Sequence, residues 1–157
     1  MKKEKIIFSI IANLYLRAEA PMDIFSPQKR SWNMSRIRSS DTTPELVVRS
    51  FLFRHGFRFR LHVKNLPGHP DIVLPKYRTV VEVRGCFWHR HPRCRQAATP
   101  STNVEFWQEK FRQNVDRDRN TEKQLKELGW NLIVVWECEL EKDGFLEALP
   151  GKIKEHE

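Results

Sequence analysis

From Thr43 onward the chain alternates between apolar positions at helical spacing and apolar positions at strand spacing. Thr43-Pro44-Glu45 has the make-up of a helix start: Thr as N-cap, Pro at the first helical position and an acid in the first turn. Leu46, Val47, Phe51 and Phe53 give that helix its apolar character, and Gly56 ends it. Phe57, Phe59, Leu61 and Val63 then alternate with Arg58, Arg60 and His62, the period of a half-buried strand. A Pro/Gly turn over 66–70 delivers Asp71 to the start of the run Ile72-Val73-Leu74. Pro75 to Arg78 turns the chain, and Thr79 to Val83 forms a second β-branched run ending at Gly85. Thr102-Asn103-Val104-Glu105 reads as a capping box. It opens a helix running to about Leu128, closed by Gly129 before a strand from Asn131 to Trp136. A last helix covers about Gly144 to Lys154. The order helix, three strands, helix, strand, helix predicts an α/β domain with a mixed central sheet flanked by helices.

The 157 residues make one domain, with enough chain for a core of its own. Its terminal segment is read differently. Residues 1–21 hold a basic start, an apolar run from Ile6 to Leu16 and small residues at Ala18 and Ala20, the outline of a secretory leader. Arg17 argues against cleavage there, and the run is too short to span a membrane as a helix. The expectation is an upstream extension that the protein can do without, with the natural start at Met22. Residues 22–43 are basic and polar and read as an arm that binds DNA. In it Met34 and Ile37, set among Arg36 and Arg38, form an apolar wedge with phosphate anchors. Residues 44–157 are expected to form the folded domain.

Charge changes the picture next. There are 28 Lys and Arg against 20 Asp and Glu, a net charge of +8, together with 5 Trp and 10 Phe. That balance fits a polyanion whose bases can be stacked upon. With 3 Cys there is no disulfide framework. Two of them lie in a His-rich cluster, and the third, Cys138, is remote. This pattern points to metal ligation in a reducing, cytoplasmic compartment.

The chemistry gathers between Leu66 and Cys94. Asp71 at a strand edge and the triplet Glu82-Val83-Arg84 suit a divalent cation. Such an ion would polarise a phosphate and lower the pKa of a water. Cys86, His89, His91, Cys94 and Cys138 offer five candidates for the four places of a closed, structural zinc site. One histidine is left over, and spacing alone does not say which. On the long helix Trp107, Lys110, Asn114 and Asp118 share one stripe, all able to touch DNA or a catalytic group.

Asn33-Met34, Asp41-Thr42, Glu45, the run 66–71, Gly85-Cys86-Phe87-Trp88-His89, Glu105-Phe106-Trp107, the run 114–119, Leu128-Gly129-Trp130 and Val135-Trp136-Glu137-Cys138 together resemble the bacterial very short patch repair endonucleases. The similarity covers about residues 28–140. It implies a restriction-endonuclease-like fold with a structural zinc, and a Mg²⁺-dependent nick 5′ of the thymine in T·G mismatches left by deaminated 5-methylcytosine. By position, the resemblance makes Asp71 a magnesium ligand and Val83 the residue lending its backbone carbonyl. His89 becomes the general base, Asp118 the acid that orients it, and Glu45 a helix glutamate near the metal. Cys86, His91, Cys94 and Cys138 match the zinc ligands. Phe87, Trp88 and Trp107 match the aromatics that intercalate, and Met34 the side chain entering from the minor groove. Glu82 and Arg84 depart from the family pattern, so Glu82 is either a further metal ligand or turned away from the metal.

The implied partner is double-stranded DNA carrying a T·G mismatch, with other mismatch-repair proteins as further partners and a monomer as the working form. Two rival readings use the same residues: another nuclease of that fold, cutting both strands, and a non-catalytic zinc-stabilised DNA-binding module.

Overall fold

The computed structural model describes residues 26, 28, 29, 32, 35, 36, 38 and 40–155. Residues 1–21, Met34 and Ile37 lie outside the described residues. The chain divides into two units, Met1–Ile37 and Arg38–Glu157. In the first, the Lys29 ammonium and the Arg36 guanidinium each lie 4.2 Å from the centroid of the Trp32 ring.

The second unit holds helix α1 (Thr43–Arg54), strands β1 (Arg60–Leu61), β2 (Ile72–Leu74) and β3 (Thr79–Arg84), helix α2 (Val104–Glu127), strand β4 (Asn131–Trp136) and helix α3 (Phe145–Lys154). This is the element order that the apolar spacing predicts. The four strands form one mixed sheet in the order β1-β2-β3-β4. β1 and β2, and β2 and β3, are antiparallel, whereas β3 and β4 are parallel.

Both faces of the sheet are covered. On one, Val48, Phe51 and Leu52 of α1 and Leu149 and Ile153 of α3 bury Ile72, Leu74, Val81 and Val135. On the other, Leu125 of α2 packs on Val73 and Val80, with Trp130 and Leu132 at the margin. Alternate residues of β2 and β3 therefore serve opposite layers, which is why their runs read as continuously apolar.

Three local features differ from the sequence reading. The strand expected over 57–63 shrinks to Arg60–Leu61, because His62 takes φ +46 and leaves the extended region. Phe57 is still buried, but Leu61 is 43% exposed on this edge strand. Helix α1 is capped one residue earlier, at Thr42, whose hydroxyl donates to Glu45 Oε1 (2.8 Å). The capping box at Thr102 does not form: Asn103, at φ +52, precedes a helix that starts at Val104 without a side-chain cap.

One glycine is required by packing. Gly68 (φ +73) lies against Thr121 of α2 so closely that no Cβ fits between them. This turn leads directly into Asp71.

Candidate active site and metal centre

Register explains how remote residues meet. In the antiparallel pair, Ile72 faces Val81 and Val73 faces Val80. One step beyond the end of β2, Asp71 comes to the level of Glu82, and Pro70 to that of Val83. Pro70 has no N–H, so it cannot continue the ladder. Instead the Val83 N–H donates to Asp71 Oδ2 at 2.8 Å. N–H and C=O of one strand residue point to the same side, so the Val83 carbonyl is also turned to the β2 side of β3.

Burial pushes the Asp71 carboxyl up to a pKa of about 6, and the negative charges of Glu45 and Glu82 push the same way. The Val83 N–H and His62 oppose them. A buried carboxylate among other carboxylates is a place for a cation. Glu82 is not free to turn fully toward it, since its Oε2 accepts from Arg84 Nε (2.9 Å) and Nη2 (2.7 Å). Arg84 is itself buried. Glu45, 3% exposed, sits at the start of α1 and accepts from the Asp41 N–H, the Thr42 hydroxyl and Arg49.

The parallel pair assembles the second cluster. Arg84 faces Trp136 across β3 and β4, so Cys86 and Cys138 each lie two residues past the same rung. The turn after Cys86 brings His91 back, its N–H bonded to the Cys86 carbonyl (3.0 Å). His91 Nδ1 lies 3.4 Å from Cys86 Sγ and 3.2 Å from Cys138 Sγ. With Cys94, the four ligand atoms fall within 4.8 Å of one another. The His91 ring stacks on Trp136 (4.3 Å between centroids), and Glu137 Oε1 accepts from the Cys86 N–H (2.8 Å). Burial raises the pKa of the Cys86 and Cys138 thiols. Three thiols and one imidazole closing on a common point fit a tetrahedral metal, which would stabilise their thiolates.

His89 lies elsewhere. Its Nδ1 is 2.6 Å from Asp118 Oδ2 of α2. A carboxylate only accepts, so Nδ1 carries the hydrogen, and in the neutral ring Nε2 is the acceptor. The two histidines, two residues apart, thus face different partners. Asn114, one turn before Asp118, is buried and donates to the Trp88 carbonyl (3.0 Å). Half of the α2 stripe is therefore turned inward to hold the loop 85–94, while Lys110 stays exposed.

Phe87 and Trp88 project from that loop onto α2. Phe87 packs edge-on against Trp88 (5.0 Å), Trp107 (5.4 Å) and Phe111 (5.1 Å), and Trp88 lies 6.0 Å from Trp107. Phe106 beside them is 62% exposed. The three aromatics singled out by the sequence form one half-buried cluster next to the His89–Asp118 pair. Phe111, Arg49, His62 and Glu137 were missed. Spacing offered a signal for two of these: Phe111 follows Trp107, and Arg49 follows Glu45, by one helical turn.

A carboxylate at a broken sheet edge, an imidazole oriented by an acid, and an aromatic cluster on a basic chain define a DNA-cleaving hydrolase. Comparison with known proteins bears this out. The family model of the DNA mismatch endonuclease Vsr matches residues 22–96. The chain is 50% identical over 118 residues to the type II nicking enzyme V.NmeAIP of Neisseria meningitidis, covering 75% of this chain and 84% of that protein. It is 48% identical over 126 residues to the type II nicking enzyme V.XorIIP of Xanthomonas oryzae (80% and 92% covered). To the DNA mismatch endonuclease Vsr of Escherichia coli K12 it is 42% identical over 135 residues (85% and 86% covered). The chain belongs to the Vsr family and is an endodeoxyribonuclease of the strand-nicking type. Among the described residues no helix is long and apolar enough to cross a membrane.

Proposed function

We propose that this protein nicks one strand of duplex DNA 5′ of the thymine in T·G mismatches, in the cytoplasm, as a Mg²⁺-dependent enzyme of restriction-endonuclease-like fold with a structural zinc. The observation that carries the reading is the His89–Asp118 pair at 2.6 Å, whose histidine lies in the same loop as Phe87 and Trp88. It joins a group able to take a proton to side chains able to enter a base stack.

Asp71 and the Val83 carbonyl are the residues to hold Mg²⁺. When bound, that ion supplies charge stabilisation at the phosphate and acidifies a water. His89 Nε2 accepts a proton from the attacking water, while Asp118 keeps Nδ1 protonated and steadies the imidazolium that results. Arg84 keeps Glu82 turned aside, which favours Asp71 and the Val83 carbonyl as ligands over Glu82. Cys86, His91, Cys94 and Cys138 are the residues to hold Zn²⁺, tying the loop after β3 to the end of β4.

Phe87, Trp88 and Trp107 supply the wedge. Opening a base step costs a few kcal/mol, least at an already weakened pair, so insertion itself favours a mismatch. Lys110 and Asn114, on the same helix, are further DNA contacts in this reading. Met34 and Ile37 enter from the arm. The test uses end-labelled duplexes bearing T·G or matched T·A, incubated with the protein and Mg²⁺, with the cut mapped at nucleotide resolution. A single nick 5′ of the thymine, in T·G duplex alone, is expected. Equal cutting of matched duplex, or cuts in both strands, would refute the specificity.

A further inference from the structure

We propose that Arg49 is a positioning residue of the nicking reaction, holding the Glu45 carboxylate in place beside Asp71 from inside helix α1. The inference rests on the nicking activity proposed above and concerns how one of its side chains is kept in position.

Arg49 is 7% exposed and Glu45 3% exposed, so both charges are out of water. Arg49 Nη2 donates to Glu45 Oε2 (2.5 Å), one helical turn away, and Nη1 donates to Asp41 Oδ1 (2.5 Å). Nη2 also lies 3.0 Å from His62 Nε2. One side chain thus joins the residues before α1, the helix itself and the turn after β1.

The acceptor capacity of Glu45 is nearly filled. A carboxylate has about four lone-pair sites. Oε2 takes the Asp41 N–H (3.0 Å) and Arg49, and Oε1 takes the Thr42 hydroxyl (2.8 Å). What remains is one site on Oε1, enough for a single further donor such as a water. Glu45 is close enough to Asp71 for its charge to act on that carboxyl.

Asp41, Glu45 and His62 bring their ligand atoms within 4.8 Å of one another. That grouping resembles a second cation site, but the Arg49 guanidinium already holds the place of the cation, bonded to two of the three and facing the third. Arg49 is also poorly served by stability alone. Its Nε is buried without a hydrogen-bond partner, and an orphaned buried donor weakens a fold. A guanidinium that ties Glu45 to Asp41, one nitrogen to each carboxylate, gives a reason for the arrangement.

The experiment is a double-mutant cycle on the full chain. Nicking of a T·G duplex at saturating Mg²⁺ is measured for wild type, Arg49→Met, Glu45→Gln and the double variant, with Arg49→Lys alongside. Loss of Arg49 is expected to lower kcat about a hundredfold, the effect of a misplacement of about 1 Å. KM for the duplex should stay within about twofold, since DNA binding does not pass through this group. In the Glu45→Gln background the same change should cost under about threefold, because the residue through which it acts is already lost. Arg49→Lys should be intermediate. An equal loss of kcat in both backgrounds, or a raised KM with kcat kept, would overturn the assignment. Should Arg49→Met not fold, the cycle is run with Arg49→Lys and read by the same criteria. A wild-type protein that leaves T·G duplex uncut would fail the proposed function itself, a result distinct from any outcome of the cycle.

Discussion

Replacing Asp71 by Asn is expected to make the protein both inactive and more stable. The carboxyl stands at a pKa of about 6 in place of 3.8, chiefly through burial. At about 1.4 kcal/mol per pH unit, that difference is about 3 kcal/mol of strain against the charged form. Because the folded pKa is the higher one, the folded chain binds more protons than the unfolded chain between the two values. Stability from this group is therefore fully present below about pH 4 and is lost as pH rises to about 6. Asn carries no charge at any of these values, and its Oδ1 still accepts from the Val83 N–H. In Mg²⁺-free buffer at about pH 8, Asp71→Asn should raise Tm by roughly 6–12 °C, at 2–4 °C per kcal/mol for a domain of this size. Near pH 4 the two proteins should melt within a degree or two of one another. Millimolar Mg²⁺ should raise Tm of the wild type and leave the variant unmoved, since only the former binds it. Thermal melts followed by circular dichroism across this pH range, on the same preparations assayed for nicking, provide the measurement. A variant no more stable than wild type at the alkaline end, or a gain that is the same at both ends, would refute the argument. So would retained nicking.

The other expectations concern the base, the metal cluster and the terminus. His89→Ala should abolish nicking, and Asp118→Asn should lower the rate by about 10²–10⁴, both with T·G binding by gel shift nearly intact, because neither residue inserts into the duplex. Cys138→Ser should lower metal content and Tm together, and so should His91→Ala, whereas His89→Ala should keep a full complement of zinc by elemental analysis. The reverse result for the two histidines would exchange their roles. A chain starting at Met22, where the family match also begins, should nick as fast as the full chain; an inactive truncation would show that residues 1–21 are needed.

Local pattern made some of this architecture legible and left some of it hidden. Continuous β-branched runs at 72–74 and 79–83 announced buried strands because both faces of the sheet are covered. The run 57–63 had equally good alternation, yet only two residues of it pair. Alternation reports which side of a residue is buried, and it is blind to a single left-handed residue such as His62 that stops the ladder. The Cys and His positions were visible, but choosing between His89 and His91 needed the turn that carries His91 back beneath Trp136. The stripe on α2 marks Asn114 as a DNA contact. The structure adds a second task for it, the bond to the Trp88 carbonyl, which no spacing rule contains. Arg49 passed unnoticed because a basic residue in a basic chain carries little information until its burial is known.

The contact between Gly68 and Thr121 bears on how this enzyme can be varied. Asp71 lies three residues past the glycine, and Asp118 lies three before the threonine on α2, so one point of touching backbone and side chain gauges the separation of the two acids. A methyl group there would push the strand carrying one away from the helix carrying the other. The loop 64–70 and the segment 115–122 are accordingly a matched set: in chimeras between relatives they should be interchangeable together and incompatible when swapped singly.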